Sequence, residues 1–254
     1  MKTVGRSPGL ELARKVIQQE SEALLALAGE LGDAFWECAR LLSGCSGLIW
    51  VTGVGTSAAV GARFAHILTD CGARSMFLSP ADGLHGHTAV MMPEDVLVTM
   101  SRGGESGEVN QMAEIANRRG VTTVAFVHNT DSTLARTCQY VLPIRSAPAY
   151  ELMGYVATTS TVAFSAMCDA LSAVVLEVKG YTPDQLAQTH PGGAVGQVLT
   201  LPQSPPSVPP GGGEERSVPP ARGEERGVLP ASGREERGGP PVVPPGGGEE
   251  RGGR

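Results

Sequence analysis

Gly47-Leu-Ile-Trp-Val-Thr-Gly-Val-Gly-Thr-Ser57 sets a short, unbroken apolar run against a glycine-rich turn. A run of this length closed by glycine predicts a strand buried on both faces, because a strand with one wet face would alternate apolar with polar residues. Ser57–Cys71 then follows with helical spacing, so the unit is strand, turn, helix. Outward from it the alternation repeats: strands over Ser75–Leu78, Asp95–Met100, Val121–Val127 and Tyr140–Ile144, helices over Ser106–Arg119 and Gly154–Lys179. Strands alternating with helices predict an α/β fold, a doubly wound parallel five-stranded sheet flanked by helices. Upstream, apolar residues between Leu10 and Leu42 recur at intervals of three and four, which predicts two amphipathic helices broken near Gly32.

The chain has 254 residues, about the size at which one core stops growing. Large apolar side chains nearly vanish after Leu201, and Glu-Glu-Arg recurs from Glu214, Glu224, Glu235 and Glu249 among Gly and Pro. Residues 1–200 are therefore expected to form the domain, and 201–254 a low-complexity, disordered tail that cannot offset its ordering entropy by burial. A spacer and an interaction arm both remain open for it. Net charge is −6. No basic field exists to hold nucleic acid or an anionic membrane by counterion release, so neither is expected as a partner. Five cysteines without a C-x-x-C pair fit neither a disulfide framework nor a thiolate metal site. With no secretory signal in Met1–Gly32 and no run of about 18 apolar residues, a cytoplasmic protein is expected.

In such sheets ligands bind beyond the carboxyl ends of the strands, so the loops there carry the chemistry. In Gly53-Val-Gly-Thr-Ser57, Gly55 lets the backbone turn tightly while Thr56 and Ser57 bring hydroxyls to a helix amino end, where an anion such as phosphate is favoured. A dinucleotide site is disfavoured because the second strand ends in Leu78-Ser79-Pro80, without the acidic residue that would hold a ribose; no G-K-[ST] triplet is present. Ser101-Arg-Gly-Gly-Glu-Ser106 repeats the pattern: Ser101 and Ser106 supply hydroxyls, Gly103 and Gly104 backbone amides, and Arg102 a positive charge. Thr158, Thr159, Ser160 and Thr161 either complete a sugar site, with Thr158 and Ser160 as contacts, or simply bond the preceding helical turn. His190, in Thr189-His-Pro-Gly-Gly193, titrates near neutrality and suits proton transfer, although a lone histidine at a domain end is more often structural.

Gly53–Ser57, Ser101–Ser106, Asn129–Arg136, Thr158–Thr161 and His190-Pro-Gly-Gly193 together resemble the sugar isomerase (SIS) proteins, and among them the arabinose-5-phosphate isomerases. The likeness spans about residues 10–200. It implies a flavodoxin-like topology, reversible aldose–ketose isomerisation of a sugar phosphate through an enediol, no metal or cofactor, and a homodimer or homotetramer. Glu105 matches the glutamate of the family's Ser-x-Ser-Gly-Glu-Ser loop, and His190 the histidine of His-Pro-Gly-Gly, so the resemblance casts Glu105 as the mover of the carbon-bound proton and His190 as the ring opener. His85-Gly-His87 stands where the family has His-Gly-Asp, which places His85 at the sugar. Three departures stand out. A family lysine is Thr56 here, a family glutamate aligns with Ala149 with Glu151 two residues on as its replacement, and the low-complexity tail takes the place of the family's paired CBS modules. The alternative reading is therefore a non-catalytic phosphosugar-binding regulatory module.

Overall fold

Strands without a wet face belong in the middle of a sheet. In the computed structural model, which describes residues 5–145 and 151–199, Ile49–Gly53 (β1) and Val96–Met100 (β3) are buried at every position and Thr122–Val127 (β4) at all but its first. These three are flanked by the short edge strands Ser75–Phe77 (β2) and Tyr140–Pro143 (β5), giving the parallel order β2-β1-β3-β4-β5. β1 and β3 pair from Ile49 opposite Val96 to Gly53 opposite Met100, so both end level with one another. From β1 the chain travels outward through helix Gly55–Asp70 (α3) to β2, then doubles back to β3 on the other side of β1. The loops leaving β1 and β3 thus part toward opposite faces, and a crevice opens between them.

Alternation along the strands sorts the core. Ile49, Val51, Val98 and Phe126 face Leu42 of helix Asp33–Gly44 (α2), Phe64 and Leu68 of α3, and Met167 and Leu171 of helix Thr159–Lys179 (α7). Trp50 and Leu97 face Met112 and Ala116 of helix Gly107–Arg118 (α5), while Ala125 and Val127 meet Leu134 of helix Thr133–Thr137 (α6). Each such side chain contributes about 1.5–3 kcal/mol by leaving water. α7 is long and apolar enough to span a bilayer; its Phe164, Met167, Leu171 and Val175 are instead packed in this core. Helix Arg6–Gly29 (α1) rests on α7 and leaves Leu10, Leu12, Ile17 and Leu25 exposed.

At the amino edge of the sheet, Asp95 is buried and accepts from Leu48 N (2.7 Å), Trp50 Nε1 (2.8 Å) and Met92 N (2.9 Å). One carboxylate thereby ties the start of β1 to the start of β3.

Two sequence expectations need correction. α7 begins at Thr159, not Gly154, because residues 152–156 reverse direction through Met153 (φ 55°) and Gly154 (φ 77°) and close a bridge between Leu152 and Val156. The short elements Pro80–Leu84 (α4), the 3₁₀ turn His87–Val90, α6 and Pro183–Thr189 (α8) went unread, being too short to display a period. Gly193–Leu199 (α9) is the short helix expected after His190. Ala149 and the expected tail, 201–254, lie outside the described residues.

Candidate functional site

The β1 loop is built on close approach. A Cβ on Gly53 would stand 3.1 Å from the Met100 carbonyl oxygen and 3.2 Å from the Ser57 backbone, so glycine lets β1, β3 and α3 meet here without the neighbouring backbone having to give way. Gly55 takes φ 59° and starts α3, whose amino end has no capping side chain. Its first amides point beyond the sheet, with Thr56 exposed and Ser57 half-buried beside them.

The β3 loop is tighter. Gly104 lies at φ 71°, and any side chain there would collide with the Ser132 hydroxyl. Its amide donates to Ser101 Oγ and to the Ser101 carbonyl oxygen, both at 3.1 Å, and its own carbonyl accepts from Leu134 N at 3.0 Å. The expectation that Gly103 and Gly104 both offer amides is corrected for Gly104, whose N–H is turned inward; Gly103 remains exposed. Ser101 and Ser106 hydroxyls share a hydrogen bond at 3.1 Å, and α5 begins after Ser106 without a side-chain cap. An incoming anion therefore meets open donors at the amino ends of both α3 and α5.

Glu105, exposed beside this loop, accepts from Thr133 N through Oε1 at 2.9 Å. The hydrogen bonds from Thr133, aided by Arg136, hold its carboxyl below the usual carboxylate value. It caps α6 through this bond. Sequence reading missed Ser132, which is buried, caps α6 by accepting from Ala135 N (3.3 Å), and enforces glycine at position 104. Its signal lay in Asn129-Thr-Asp-Ser132, a turn-forming run directly after β4.

Glu151 behaves differently. Its side chain is fully buried, accepting from Thr158 N (2.6 Å) and Thr158 Oγ1 (3.3 Å) on Oε2 and from Ser160 N (3.0 Å) on Oε1. Burial pushes its carboxyl upward, but hydrogen bonds from Ser160 and Thr158 and the Arg102 charge outweigh that and leave it lowered. Arg102 Nε stands 3.7 Å from Glu151 Oε1. The Arg102 side chain, with Thr56, Ser57, Ser160, Thr161 and Phe164, lines the crevice between α3 and α7. Of the four hydroxyls at the start of α7, Thr161 bonds the Ala157 carbonyl oxygen at 3.0 Å, the local reading, whereas Thr158 and Ser160 are engaged by Glu151.

The structure does not bring His190 to this crevice within one chain. His190 Nε2 lies 3.5 Å from Asp70 Oδ1, at the carboxyl end of α3, while Thr56 is at its amino end. Fourteen helical residues separate Asp70 from Thr56, or about 21 Å. His85 is exposed, ends α4 and does not line the crevice.

Three buried side-chain polar atoms lack a hydrogen-bond partner among the described residues: Thr52 Oγ1, Arg102 Nε and Asn110 Oδ1. They belong to the end of β1, the residue second after β3 and the first turns of α5, all at the carboxyl edge. Unsatisfied polar groups are costly in a core and tolerable where a ligand completes them. The five cysteines are unpaired, and burial drives the Cys38 thiol up to about 12, too high for a nucleophile.

Residues 44–174 match the SIS domain. The arabinose 5-phosphate isomerase KdsD of Pseudomonas aeruginosa is 31% identical over 189 residues, 74% of this chain and 58% of that protein. KdsD of Yersinia pestis is 29% identical over 204 residues, 79% of this chain and 62% of that protein. The chain thus spans about three fifths of the length of these curated relatives. Among solved structures, an E. coli CFT073 protein in complex with arabinose 5-phosphate superposes with a TM-score of 0.71 at 21% identity, covering 74% of this chain and all of that one.

Proposed function

The chain belongs to the SIS domain family, and on that premise we propose that it is a cytoplasmic aldose–ketose isomerase of sugar phosphates, working through an enediol on a pentose 5-phosphate such as arabinose 5-phosphate. The observation that carries this reading is the pair of uncapped helix amino ends, α3 and α5, meeting at the reversal between β1 and β3 with serine hydroxyls at both. Phosphate docks at α5 with Ser101, Ser106 and the Gly103 amide, and the sugar extends toward Thr56, Ser57 and Ser160. Glu105 carries the proton between the two carbons. Its lowered carboxyl keeps it ionised and ready to accept that proton, though a base so acidic is a modest one.

His190, about 21 Å away along α3, can open the ring only in the site of another copy, and the expected homodimer or homotetramer supplies one. The exposed leucines of α1 give such an assembly an apolar surface. Residues 1–200 constitute the working domain, and 201–254 are dispensable for it.

The engagement of both glutamates as helix caps favours a second reading, a phosphosugar-binding module without turnover. NMR in deuterated water separates the two. Incubation with arabinose 5-phosphate, ribulose 5-phosphate or fructose 6-phosphate should give protein-dependent deuterium incorporation that disappears in Glu105→Gln. Ligand line broadening without exchange for every sugar would instead establish the binding module.

A further inference from the structure

Building on the isomerase reading, we propose that Arg102 is a catalytic residue of this site, held by Glu151 so that its guanidinium faces the sugar oxygen on which negative charge collects during enolisation. Two parts of one loop point in different directions. The Ser101–Ser106 backbone turns toward α5, where the uncapped amino end and two hydroxyls suit a phosphate. The Arg102 side chain leaves that loop and lies across the crevice with Thr56 and Ser57 of α3 and Ser160 of α7. A phosphate at α5 therefore projects its carbon chain toward the guanidinium.

The Arg102 setting is that of a held charge with an open side. Glu151, with no exposed side-chain surface, is fixed by the amides of Thr158 and Ser160, and its Oε1 lies 3.7 Å from Arg102 Nε. That separation exceeds a hydrogen bond, so the carboxylate steers Arg102 by charge alone and leaves the buried Nε–H without a partner. The side chain keeps 35% of its surface exposed toward the crevice. Among the residues lining the crevice, Arg102 is the one cation. At the α7 amino end Glu151 occupies the Thr158 and Ser160 amides and adds a negative charge of its own, so the charge on the sugar oxygen falls to Arg102.

The step balances without an outside reagent. The proton on C2 of the aldose passes to a carboxylate, its electron pair forms the C1–C2 double bond, and the carbonyl pair moves onto O1. The O2 proton then passes to O1, and return of the carbon-bound proton from the carboxylate to C1 gives the ketose. A guanidinium keeps its charge throughout and cannot act as an acid, so Arg102 stabilises the oxyanion electrostatically. Glu151 is the positioning residue.

Calorimetric titration of the wild type, Arg102→Gln and Arg102→Lys with inorganic phosphate and with erythronohydroxamate 4-phosphate, whose hydroxamate nitrogen and carbonyl carbon stand in for C1 and C2 of the pentose enediolate, tests this. Thermal melts serve as the folding control. Arg102→Gln should bind the hydroxamate about 10²-fold more weakly while binding inorganic phosphate as the wild type does, and its kcat should fall with KM nearly unchanged. Arg102→Lys should recover part of the loss, and it carries the test if the glutamine variant fails to fold. Equal weakening toward inorganic phosphate, or hydroxamate affinity unchanged in both variants, would overturn the assignment of Arg102 alone. Wild-type protein that binds neither ligand would overturn the isomerase reading beneath it.

Discussion

The two ends of the sheet treat polar groups in opposite ways. At the amino edge Asp95 is held by three donors within 2.9 Å, and no buried side-chain polar atom there lacks a partner among the described residues. At the carboxyl edge Thr52, Arg102 and Asn110 each keep a buried polar atom unpaired, α3 and α5 begin without caps, and Gly104 sits where no other residue fits. The amino edge is built for stability, and the carboxyl edge gives some up to remain receptive.

Substitutions at the two edges should separate accordingly. The largest effect is expected from Asp95→Ala, which strands the Trp50 indole and two backbone amides and should cost about 3–5 kcal/mol in chemical denaturation. Glu105→Gln should do the reverse, leaving the denaturation midpoint nearly in place while slowing deuterium exchange into the sugar by about 10²–10⁴-fold. An Asp95→Ala protein as stable as the wild type, or a Glu105→Gln protein that unfolds early, would break the contrast.

Glu151 sharpens it, because this carboxylate sits at the receptive edge yet is buried and fully paired. Glu151→Leu uncaps α7 and deprives Arg102 of its counter-charge, so it should lose about 2–4 kcal/mol of stability as well as turnover. Its pH dependence has a defined sign. The folded carboxyl is lowered, so its contribution is fully present above the unfolded carboxylate value of about 4.3 and is lost as pH falls through the lower folded value. Glu151→Gln should therefore flatten the acid limb of the stability profile below about pH 4.3 and leave the neutral region's slope unchanged. The smallest effect belongs to Met153→Gly. Relief of a left-handed backbone at a cost of about 1–2 kcal/mol, less the ~0.5–1 kcal/mol entropy that glycine loses, should raise stability by at most about 1.5 kcal/mol in a thermal melt.

Much of this was legible in the residues. The apolar runs at Ile49–Val51 and Val96–Val98 announced buried parallel strands, and the Gly-Ser loops behind them marked the receptive edge, because burial on both faces and tight turns leave their mark on neighbouring residues. Glu151 shows where that legibility stopped. Its two-residue offset from Ala149 suggested a replacement base, whereas in space its carboxylate closes the amino end of α7 and faces Arg102, which is 49 positions earlier in the chain. Gly104 and Ser132 are similarly coupled across 28 positions. His190 followed loops that carry chemistry in sequence order, yet it lies at the far end of α3.

By itself the sequence determined the order of strands and helices, the parallel sheet, the edge at which the glycine- and hydroxyl-rich loops gather, and membership of the SIS family. Those follow from periodicity and turn chemistry, which act over a few residues. Only the tertiary structure decided which helix amino ends stay open, that Glu151 serves as a cap and as the counter-charge of Arg102, and that His190 stands beside Asp70. Hydrogen bonds and ion pairs act over a few ångströms of space, and distance along the chain does not reveal which groups will share them.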